Sequence, residues 1–353
     1  MKILFITNHK YLPEIYGGME LNTDLICKEL INLKQKVAVA CSLNGGVSRL
    51  GISAKIQRFF SHSPVSRDHM NGYTAYRAFE LYKNVDRVIS DFLPDAIILQ
   101  GGHKYFEILK ALSKYSIPVI SYLHTPDELN CENSLFDTMN ITYIANSEFT
   151  KKAHLSKNVS LVLPPVVFPE SYKVNSSNNY ISFVNPSPHK GLKIAIELAK
   201  INSDLKFLFV LAKKNGREIL TKFMENEKLP ENITIVGPFQ DMKEVYKQTK
   251  LILMPSRWQE TWGRIATEAH CSGIPVLASD TGGLPESVGS GGINLPVDSS
   301  LDDWQKSFKH MLEQKNYEFF SKNALIYSKR ECIDPEVICR KLLEHIEKQI
   351  VEE

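Results

Sequence analysis

The stretch LILMPSRWQETWGRIATEAHCSGIPVLASDTGGLPE, residues 251–286, places two apolar runs on either side of an amphipathic run. The apolar runs at 251–254 and 275–278 predict buried strands, and the pattern at 264–271 predicts a helix between them. Two strands joined through a helix lie parallel in one sheet. The segment therefore predicts an α/β fold with a parallel sheet that helices cover on both faces.

The same alternation extends along the rest of the chain. It stops near Leu163-Pro164-Pro165 and resumes at Tyr180, and the polar run at 175–179 is typical of a linker. Further strands are predicted on both sides of that break, at residues 3–6, 37–41, 96–99, 119–123, 143–145, 181–184, 206–211, 233–236 and 292–295. Further helices are predicted at residues 20–33, 105–114, 190–200, 217–226, 242–248, 301–314 and 335–351.

Chain length and the central break together predict two domains. A chain of 353 residues is longer than one ordinary core requires. We expect a Rossmann-like, doubly wound domain at 1–168, a second at 169–334, and a terminal helix at 335–353 that packs back on the first. Ligands bind at the carboxyl ends of the strands in such folds, so we expect a cleft where those ends of the two sheets face each other.

Charge and cysteine usage exclude several classes of protein. A net charge of +2 gives no global field that would attract nucleic acid. The six cysteines stand singly, without a CxxC pair or metal-ligand spacing, which is typical of reduced core residues in a cytoplasmic protein. The sequence has no run of about 20 apolar residues. The short apolar start MKILFIT, residues 1–7, predicts a buried strand and not a signal peptide.

Two carboxylates of the opening segment are candidate ligand contacts. Glu260 lies in the loop after a predicted strand, and Glu268 lies in the next helix, whose side chains lean back towards its amino end. A carboxylate with two acceptor oxygens suits neighbouring hydroxyl groups, such as those of a ribose or a hexose. The backbone amides of Trp262 and Gly263 open that helix and can donate to a ligand. A capped surface helix with an incidental glutamate has the same spacing, so the surrounding residues decide between the two interpretations.

Those surrounding residues resemble the E-x7-E signature of glycosyltransferase family 4, a retaining family with the two-domain GT-B fold. The resemblance implies that Glu268 contacts the ribose of a nucleotide-sugar donor and that Glu260 contacts the transferred sugar. It also implies that the second domain binds the donor and that the first lies on the acceptor side. The residues that match the signature and the G-G-x-x-E after it are Glu260, Trp262, Gly263, Glu268, Ala269, Gly273, Pro275, Val276, Gly282, Gly283 and Glu286.

A lysine at the mouth of a predicted helix is a candidate for phosphate binding. Lys190 ends the stretch FVNPSPHK, residues 183–190, after a predicted strand. An ammonium group beside a helix amino terminus can neutralise a diphosphate leaving group, although an isolated lysine there would equally be a solvated charge. The family pattern here is similar to F-x-G-R-x-x-x-x-K-G, and Lys190 matches its lysine. Asn185-Pro186 stand where the family has Gly-Arg, and Arg264 or His189 is a candidate to replace that arginine.

The first domain contributes two candidate sites. Gly17 and Gly18 follow the first predicted strand and let the backbone approach a ligand closely. They resemble the Gly-Gly loop of the family that faces the donor diphosphate. His124 directly follows another predicted strand, where it can hydrogen-bond a sugar hydroxyl or stabilise developing charge. An ordinary turn at Gly17-Gly18 and a helix cap at His124 are the structural alternatives.

The resemblance also implies a mechanism and a set of partners. It implies transfer with retained anomeric configuration from a UDP- or GDP-linked hexose, without a cofactor, a metal ion or a protein base. In agreement, the sequence has no D-x-D pair in a loop after a predicted strand. The implied acceptor is a glycan or a lipid-linked molecule of cell-surface polysaccharide or lipopolysaccharide biosynthesis. Two alternatives stay open, a UDP-sugar 2-epimerase and a non-catalytic sugar-nucleotide-binding protein.

One further stretch suggests a membrane contact. Residues 47–60 place apolar and basic side chains at helical spacing. Such a helix is typical of a membrane surface contact or of a helix packed on its own domain. We therefore expect a cytoplasmic protein, with peripheral contact at the inner face of the membrane as one of two interpretations of this stretch. Its apolar and basic residues are Arg49, Ile52, Lys55, Ile56, Arg58, Phe59 and Phe60.

Overall fold

The computed structural model describes residues 1–43, 49–126, 141–155, 157–212, 216–224, 228–239 and 241–351. The chain divides into two compact units. One unit comprises Met1–Val166 with Pro335–Glu353, and the other comprises Val167–Asp334. Each unit has its own sheet and its own hydrophobic core.

An eight-stranded sheet forms the centre of the first unit. Its strands are β1 (Lys2–Lys10), β2 (Lys36–Ser42), β3 (Val65–Asp68), β4 (Thr74–Ala78), β5 (Ala96–Gln100), β6 (Val119–Leu123), β7 (Ile141–Ala145) and β8 (Val159–Val162). They lie in the order β3-β4-β2-β1-β5-β6-β7-β8. Strands β5 and β6 are buried along their whole length, as expected where helices cover both faces. The helices that follow these strands are α1 (Gly18–Asn32), α2 (Arg49–Ser61), α3 (Val85–Phe92), α4 (Tyr105–Leu112) and α5 (Glu148–Ala153).

One hairpin of the first sheet departs from the predicted parallel arrangement. Strands β3 and β4 pair antiparallel, with Val65 opposite Ala78, while β4 pairs parallel with β2. Their connection includes Gly72, whose φ of +88° suits the left-handed conformation of a tight turn. Both strands mix polar and apolar residues, as in VSRD and TAYRA, so a search for continuous apolar runs does not find them.

A six-stranded parallel sheet forms the centre of the second unit. Its strands are β9 (Tyr180–Val184), β10 (Lys206–Val210), β11 (Ile233–Val236), β12 (Thr249–Met254), β13 (Val276–Asp280) and β14 (Gly292–Pro296). They lie in the order β11-β10-β9-β12-β13-β14. The helices of this unit are α6 (Leu192–Ile201), α7 (Gly216–Met224), α8 (Lys243–Tyr246), α9 (Arg264–His270), α10 (Leu284–Val288), α11 (Leu301–Leu312) and α12 (Gln314–Tyr327). The predicted α/β class with two sheets is thereby confirmed.

The segment predicted as a linker is packed on the second unit. Ser176 Oγ donates to the carbonyl oxygen of Thr249 at 2.6 Å. Ser272 Oγ donates to the carbonyl oxygen of Tyr172 at 3.0 Å. The boundary between the two units lies at Val166, within the predicted linker, and the residues that follow belong to the second unit.

The last helix, α13 (Pro335–Val351), packs on the first unit. Its residues Ile338, Cys339 and Leu342 join the hydrophobic core that also holds Ile26 and Cys27 of α1.

No helix among the described residues has both the length and the apolar character that a membrane span needs. Five cysteines are free, while the sixth, Cys131, lies outside the described residues; the free thiols are buried Cys27, Cys41, Cys271 and Cys339 and exposed Cys332.

The strand order reverses once in each sheet. In the second sheet the chain runs from β9 outwards to β10 and β11, and then returns to place β12 on the other side of β9. In the first sheet the corresponding reversal lies between β1 and β5. Loops diverge at such a point, and ligands of doubly wound sheets bind in the crevice that this leaves at the carboxyl ends. The fold therefore singles out the loops that follow β1, β5, β9 and β12.

Candidate functional site

An ion pair occupies the reversal point of the second sheet. Lys190 follows β9 and Glu260 follows β12, and Lys190 Nζ lies 2.9 Å from Glu260 Oε1. The side chains are only 26% and 15% exposed, so each retains partial access to solvent or a ligand. The structure thus brings together two of the residues that the sequence singled out.

A close approach of two backbones places Lys190. Gly191, the residue after it, has a φ of +80°, and a Cβ there would overlap the carbonyl oxygen of Pro255. The amides of Arg257 and Trp258 both donate to the carbonyl oxygen of His189, at 2.9 and 3.1 Å. Only glycine fits at position 191, because it has no Cβ to overlap Pro255. The loops after β9 and β12 can therefore pack against each other and hold Lys190 beside Glu260.

A Gly-Gly pair supports the backbone of Glu260 from behind. The amide of Gly283 donates to the Glu260 carbonyl oxygen at 2.6 Å. Gly282 has a φ of +61°, and a Cβ there would overlap that same carbonyl oxygen. The TGG sequence before α10 thus packs closely against the Glu260 loop.

Trp262 and Gly263 end this loop and begin α9. Gly263 has a φ of +102°, and a Cβ there would lie 2.8 Å from Ser287 Oγ. The Trp262 indole is only 4% exposed, and its Nε1 donates to Thr267 Oγ1 at 3.1 Å. The guanidinium carbon of Arg330 lies 5.6 Å from the centre of a Trp262 ring. The indole is therefore packed inside the second unit. A ligand at this position would be contacted by the backbone amides.

Glu268 lies inside a buried network. Its Oε2 accepts from the Tyr246 hydroxyl at 2.8 Å, and its Oε1 lies 3.2 Å from Arg264 Nη2. Arg264 Nη2 also donates to the Tyr172 hydroxyl at 3.3 Å. Burial raises the pKa of Glu268, and the charge of Arg264 followed by the Tyr246 hydrogen bond opposes that shift.

The network changes the interpretation of Arg264. The guanidinium is committed to Glu268 and Tyr172, so the expectation that it replaces the family's missing arginine is not supported by its contacts. The other candidate, His189, has its ring 6.2 Å from the Trp258 ring in an edge-to-face contact. Sequence reasoning missed Tyr246 altogether, because a tyrosine on a short helix carries no motif.

The reversal point of the first sheet carries Gly17 and Gly18. Gly18 begins α1 with Gly17 at its N-cap. The Glu20 carboxylate folds back over this helix start, where a Cβ on Gly17 would overlap its Oε2. Burial raises the pKa of Glu20, against hydrogen bonds from the backbone and the charge of His9. Glu20 ends the stretch that resembles the Gly-Gly loop, and His9, which precedes that stretch, is a polar group that the sequence did not single out.

His124 lies directly after β6 in the first unit and is 8% exposed. Its Nε2 lies 3.3 Å from Gln100 Nε2, and its ring centre lies 4.3 Å from that of Tyr122. Burial lowers the pKa of His124 to about 3, so the imidazole is neutral at physiological pH. A neutral ring can exchange a hydrogen bond with a hydroxyl but does not supply a positive charge. The helix cap considered for it would involve residues 127–129, which lie outside the described residues.

In the part of the chain that the structure describes, no three His, Cys, Asp or Glu side chains are grouped so that they could hold a metal ion. Asp302 and Asp303 lie in the first turn of α11, where Ser300 and Asp303 form a capping box.

Comparison with known proteins shows a family similarity for most of the second unit. Residues 168–326 match the family model described as glycosyl transferases group 1. A stretch of 104 residues is 32% identical to D-inositol 3-phosphate glycosyltransferase of Corynebacterium aurimucosum. That stretch covers 29% of this chain and 22% of the relative, so the similarity spans about a fifth of the relative's length.

Solved structures share the fold over the whole chain. A glycosyltransferase from Rickettsia africae matches with a TM-score of 0.76 at 15% identity, covering 99% of this chain and 98% of that one. HepE of Anabaena in complex with UDP-glucose matches with a TM-score of 0.75 at 18% identity, covering 99% and 100%. At these identities the likeness shows the fold alone. The predicted resemblance to a glycosyltransferase with the GT-B fold is confirmed, through the fold and through residues 168–326, which match the glycosyl transferases group 1 model; the retaining mode and the roles of the E-x7-E glutamates stay predictions.

Proposed function

We propose that this protein is a retaining glycosyltransferase that moves a hexose from a UDP- or GDP-linked donor to a glycan or lipid-linked acceptor. The group 1 glycosyl transferase domain and the fold shared with glycosyltransferases support the proposal. The observation that carries it is the 2.9 Å ion pair between Lys190 and Glu260 at the reversal point of the second sheet. An ammonium group at that point can bind the diphosphate of a sugar-nucleotide donor. A carboxylate there can accept hydrogen bonds from the sugar hydroxyls.

Lys190 and Glu260 can each take a new partner when a donor binds. Without a ligand, Glu260 neutralises Lys190. A diphosphate offers the ammonium a more highly charged partner, so we expect Lys190 to turn to the leaving phosphate. Glu260 then becomes free to accept hydrogen bonds from hydroxyls of the transferred sugar.

The transfer step requires little proton chemistry from the protein. The acceptor hydroxyl attacks the anomeric carbon on the face from which the diphosphate leaves, and the bond from that carbon to the phosphate oxygen breaks. A donor phosphate oxygen takes the proton of the attacking hydroxyl. Glu260 orients the sugar, while the neutral His124 exchanges a hydrogen bond with a sugar hydroxyl. The proposed step uses no metal ion and no cofactor.

Further residues are proposed to hold the rest of the donor. Glu268 accepts from the ribose hydroxyls, and Arg264 acts on the ribose through Glu268. Backbone amides of Trp262 and Gly263 donate to sugar hydroxyls, and the backbone of Gly17 and Gly18 approaches the diphosphate. We place the reaction in cell-surface polysaccharide or lipopolysaccharide biosynthesis.

The exposed face of α2 is the proposed contact with a membrane that carries the acceptor. Ile56 is 53% exposed, Phe59 77% and Phe60 76%. The Arg58 guanidinium stacks on the Phe79 ring at 4.8 Å, close to this apolar face. Aromatic rings beside cationic groups favour the interface of an anionic bilayer. Residues 47–48 and the Arg49 side chain lie outside the described part of this stretch.

A thermal-shift screen of UDP-, GDP-, ADP- and dTDP-sugars tests the donor. We expect a UDP- or GDP-sugar to raise the melting temperature equally with and without a metal chelator. Glu268→Gln should abolish the shift; glutamine is preferable to alanine because Arg264 and Tyr246 keep a hydrogen-bonding neighbour. A shift that needs a divalent cation, or no shift at all, contradicts the proposal.

Nuclear magnetic resonance of the bound donor tests the reaction class. A transferase consumes the donor only when an acceptor extract is present, and the new linkage keeps the anomeric configuration. An epimer formed from donor and protein alone would indicate the 2-epimerase, and binding without turnover with any extract would indicate a non-catalytic protein.

A further inference from the structure

The Glu268 carboxylate is enclosed to a degree that a simple ligand contact does not require. Glu268 is 4% exposed, and both of its oxygens have a partner within the second unit. Tyr246, which donates to Oε2 at 2.8 Å, is fully buried on α8 and lies outside the E-x7-E stretch. A carboxylate has about four lone-pair positions, so these contacts leave positions for further donors.

The partners of Glu268 are themselves fixed. Arg264 stands one turn before Glu268 on α9, and its side chain is only 10% exposed. Its Nη2 donates to the Tyr172 hydroxyl at 3.3 Å, and the Tyr172 ring packs edge-to-face on Tyr246 at 6.4 Å. The orientation of the carboxylate is therefore supported by the Tyr246 phenol and the Arg264 guanidinium, and Tyr172 in turn holds Arg264.

Stability alone does not explain this arrangement. The desolvation of two charges offsets much of their mutual attraction, so a buried ion pair gives little net stability compared with apolar packing. Its value lies in keeping a charge in one place and one orientation, which is what recognition of a ligand requires.

We propose that Tyr246 and Arg264 are positioning residues that keep the Glu268 carboxylate ionised and aimed so that it accepts from two adjacent hydroxyls of a bound ribonucleotide. This inference rests on the proposed function and extends it to Tyr246, outside the E-x7-E stretch, and to Arg264, at a variable position within it. It makes the site selective for ribose over 2′-deoxyribose, because the aimed carboxylate loses a donor when one hydroxyl is missing.

The charge state gives the proposal a pH signature. Burial raises the pKa of Glu268, while Arg264 and Tyr246 act in the opposite direction. The remaining titratable neighbours stay neutral, since burial raises the pKa of Tyr172 and of Cys271 to about 12 in each case. Removing the Tyr246 hydroxyl removes one opposing contact, so the pKa of Glu268 rises further. Nucleotide binding should then fail at a higher pH than in the wild type.

Calorimetric titration with UDP, GDP and their 2′-deoxy forms, from about pH 5 to about pH 9, tests the inference. We expect the wild type to prefer the ribonucleotide by about tenfold, and Tyr246→Phe to reduce that preference to about threefold. The same variant should move the acidic limit of binding to higher pH.

Tyr317→Phe is the matched control, because its hydroxyl donates to Asn178 Oδ1 at 3.0 Å elsewhere in the same unit. It should leave both the preference and the pH profile unchanged. Equal weakening of both nucleotide forms at every pH by Tyr246→Phe would mean a purely structural role and would overturn the inference, as would no change at all. If the wild type binds neither UDP nor GDP, the proposed function fails and the inference falls with it. If the wild type binds a nucleotide but Tyr246→Phe does not have the expected effects, the inference is wrong and the proposed function stands.

Discussion

Lys190 Nζ lies 2.9 Å from Glu260 Oε1, although the two residues belong to loops that follow different strands of the second sheet. The strands are β9 and β12, which are neighbours because the strand order reverses between them. The pairing of the side chains is thus a consequence of topology, reinforced by the fit of Gly191 against Pro255. Each charge holds the other in place, and each is only partly exposed.

Loss of the ammonium should impair catalysis much more than folding. In Lys190→Gln we expect the turnover number to fall by about a hundredfold or more, because the leaving diphosphate loses its cation. The free energy of unfolding should change by about 1 kcal/mol or less, since the ion pair is partly exposed. Initial rates at saturating donor, with urea unfolding alongside, measure both quantities. Lys193→Gln removes an exposed lysine of α6 and should retain full activity; equal losses in the two variants would contradict a specific role for Lys190.

Gly282 should tolerate no side chain, because Gly282→Ala forces a Cβ into the Glu260 carbonyl oxygen at a φ of +61°. We expect a loss of about 2 to 4 kcal/mol in the free energy of unfolding, or displacement of the Glu260 loop with loss of turnover. Gly72→Ala separates the two causes, since Gly72 has a φ of +88° with open space around its Cβ position. That control should show only the conformational cost of about 1 kcal/mol. Similar losses in both variants would mean that overlap with Glu260 is unimportant.

The parts of the fold that the sequence predicts are those with one-sided or continuous apolar patterns. Strand β6 has the predicted bounds because its burial on both faces goes with a nearly continuous apolar run. Strands β3 and β4 escape prediction because they mix polar and apolar residues without a continuous apolar run or a regular alternation. Helix α12 escapes because exposed Phe319 and Ile326 blur its apolar stripe.

The candidate site likewise contains residues that the sequence predicts and residues that it does not. Lys190 and Glu260 are predictable because each follows an apolar strand and belongs to a recognisable stretch. Tyr246 is not predictable, because only tertiary packing brings its phenol to Glu268. Side-chain orientation also places the Glu20 carboxylate over Gly17 and pairs Arg264 with Glu268. The periodicity of strands and helices does not specify that orientation.

Two buried histidines should make the protein less stable in mild acid. The pKa of His124 and that of His270 are each lowered from 6.5 to about 3, in both cases chiefly by burial. The unfolded chain takes up protons as the pH falls through about 6.5 while the folded state does not, so the free energy of unfolding decreases on acidification from that point towards pH 3. Each histidine contributes up to about 1.4 kcal/mol per pH unit in this window.

Replacing one of these histidines isolates its contribution. His270→Leu should weaken the pH dependence between about pH 6 and about pH 4 by up to about 1.4 kcal/mol per pH unit relative to the wild type. Urea unfolding at a series of pH values measures the difference. Replacing exposed His310 by leucine is the control and should leave the slope unchanged. A wild-type stability that is flat or rises on acidification through this window would contradict the buried, neutral state of the two rings.

The exposed face of α2 should bind anionic bilayers. Phe59 and Phe60 are 77% and 76% exposed, and transfer of each ring into the interface contributes about 1.5 to 3 kcal/mol. Phe59→Ser with Phe60→Ser should therefore weaken co-sedimentation with vesicles that contain anionic lipid by on the order of a hundredfold. The donor-induced thermal shift should remain, because the altered side chains lie in the first unit, whereas Lys190 and Glu260 lie in the second. Phe319→Ser removes a ring that is 61% exposed in the second unit and should leave vesicle binding unchanged. Equal binding by the wild type and the double variant would instead mean that the aromatic face of α2 has no role at the bilayer.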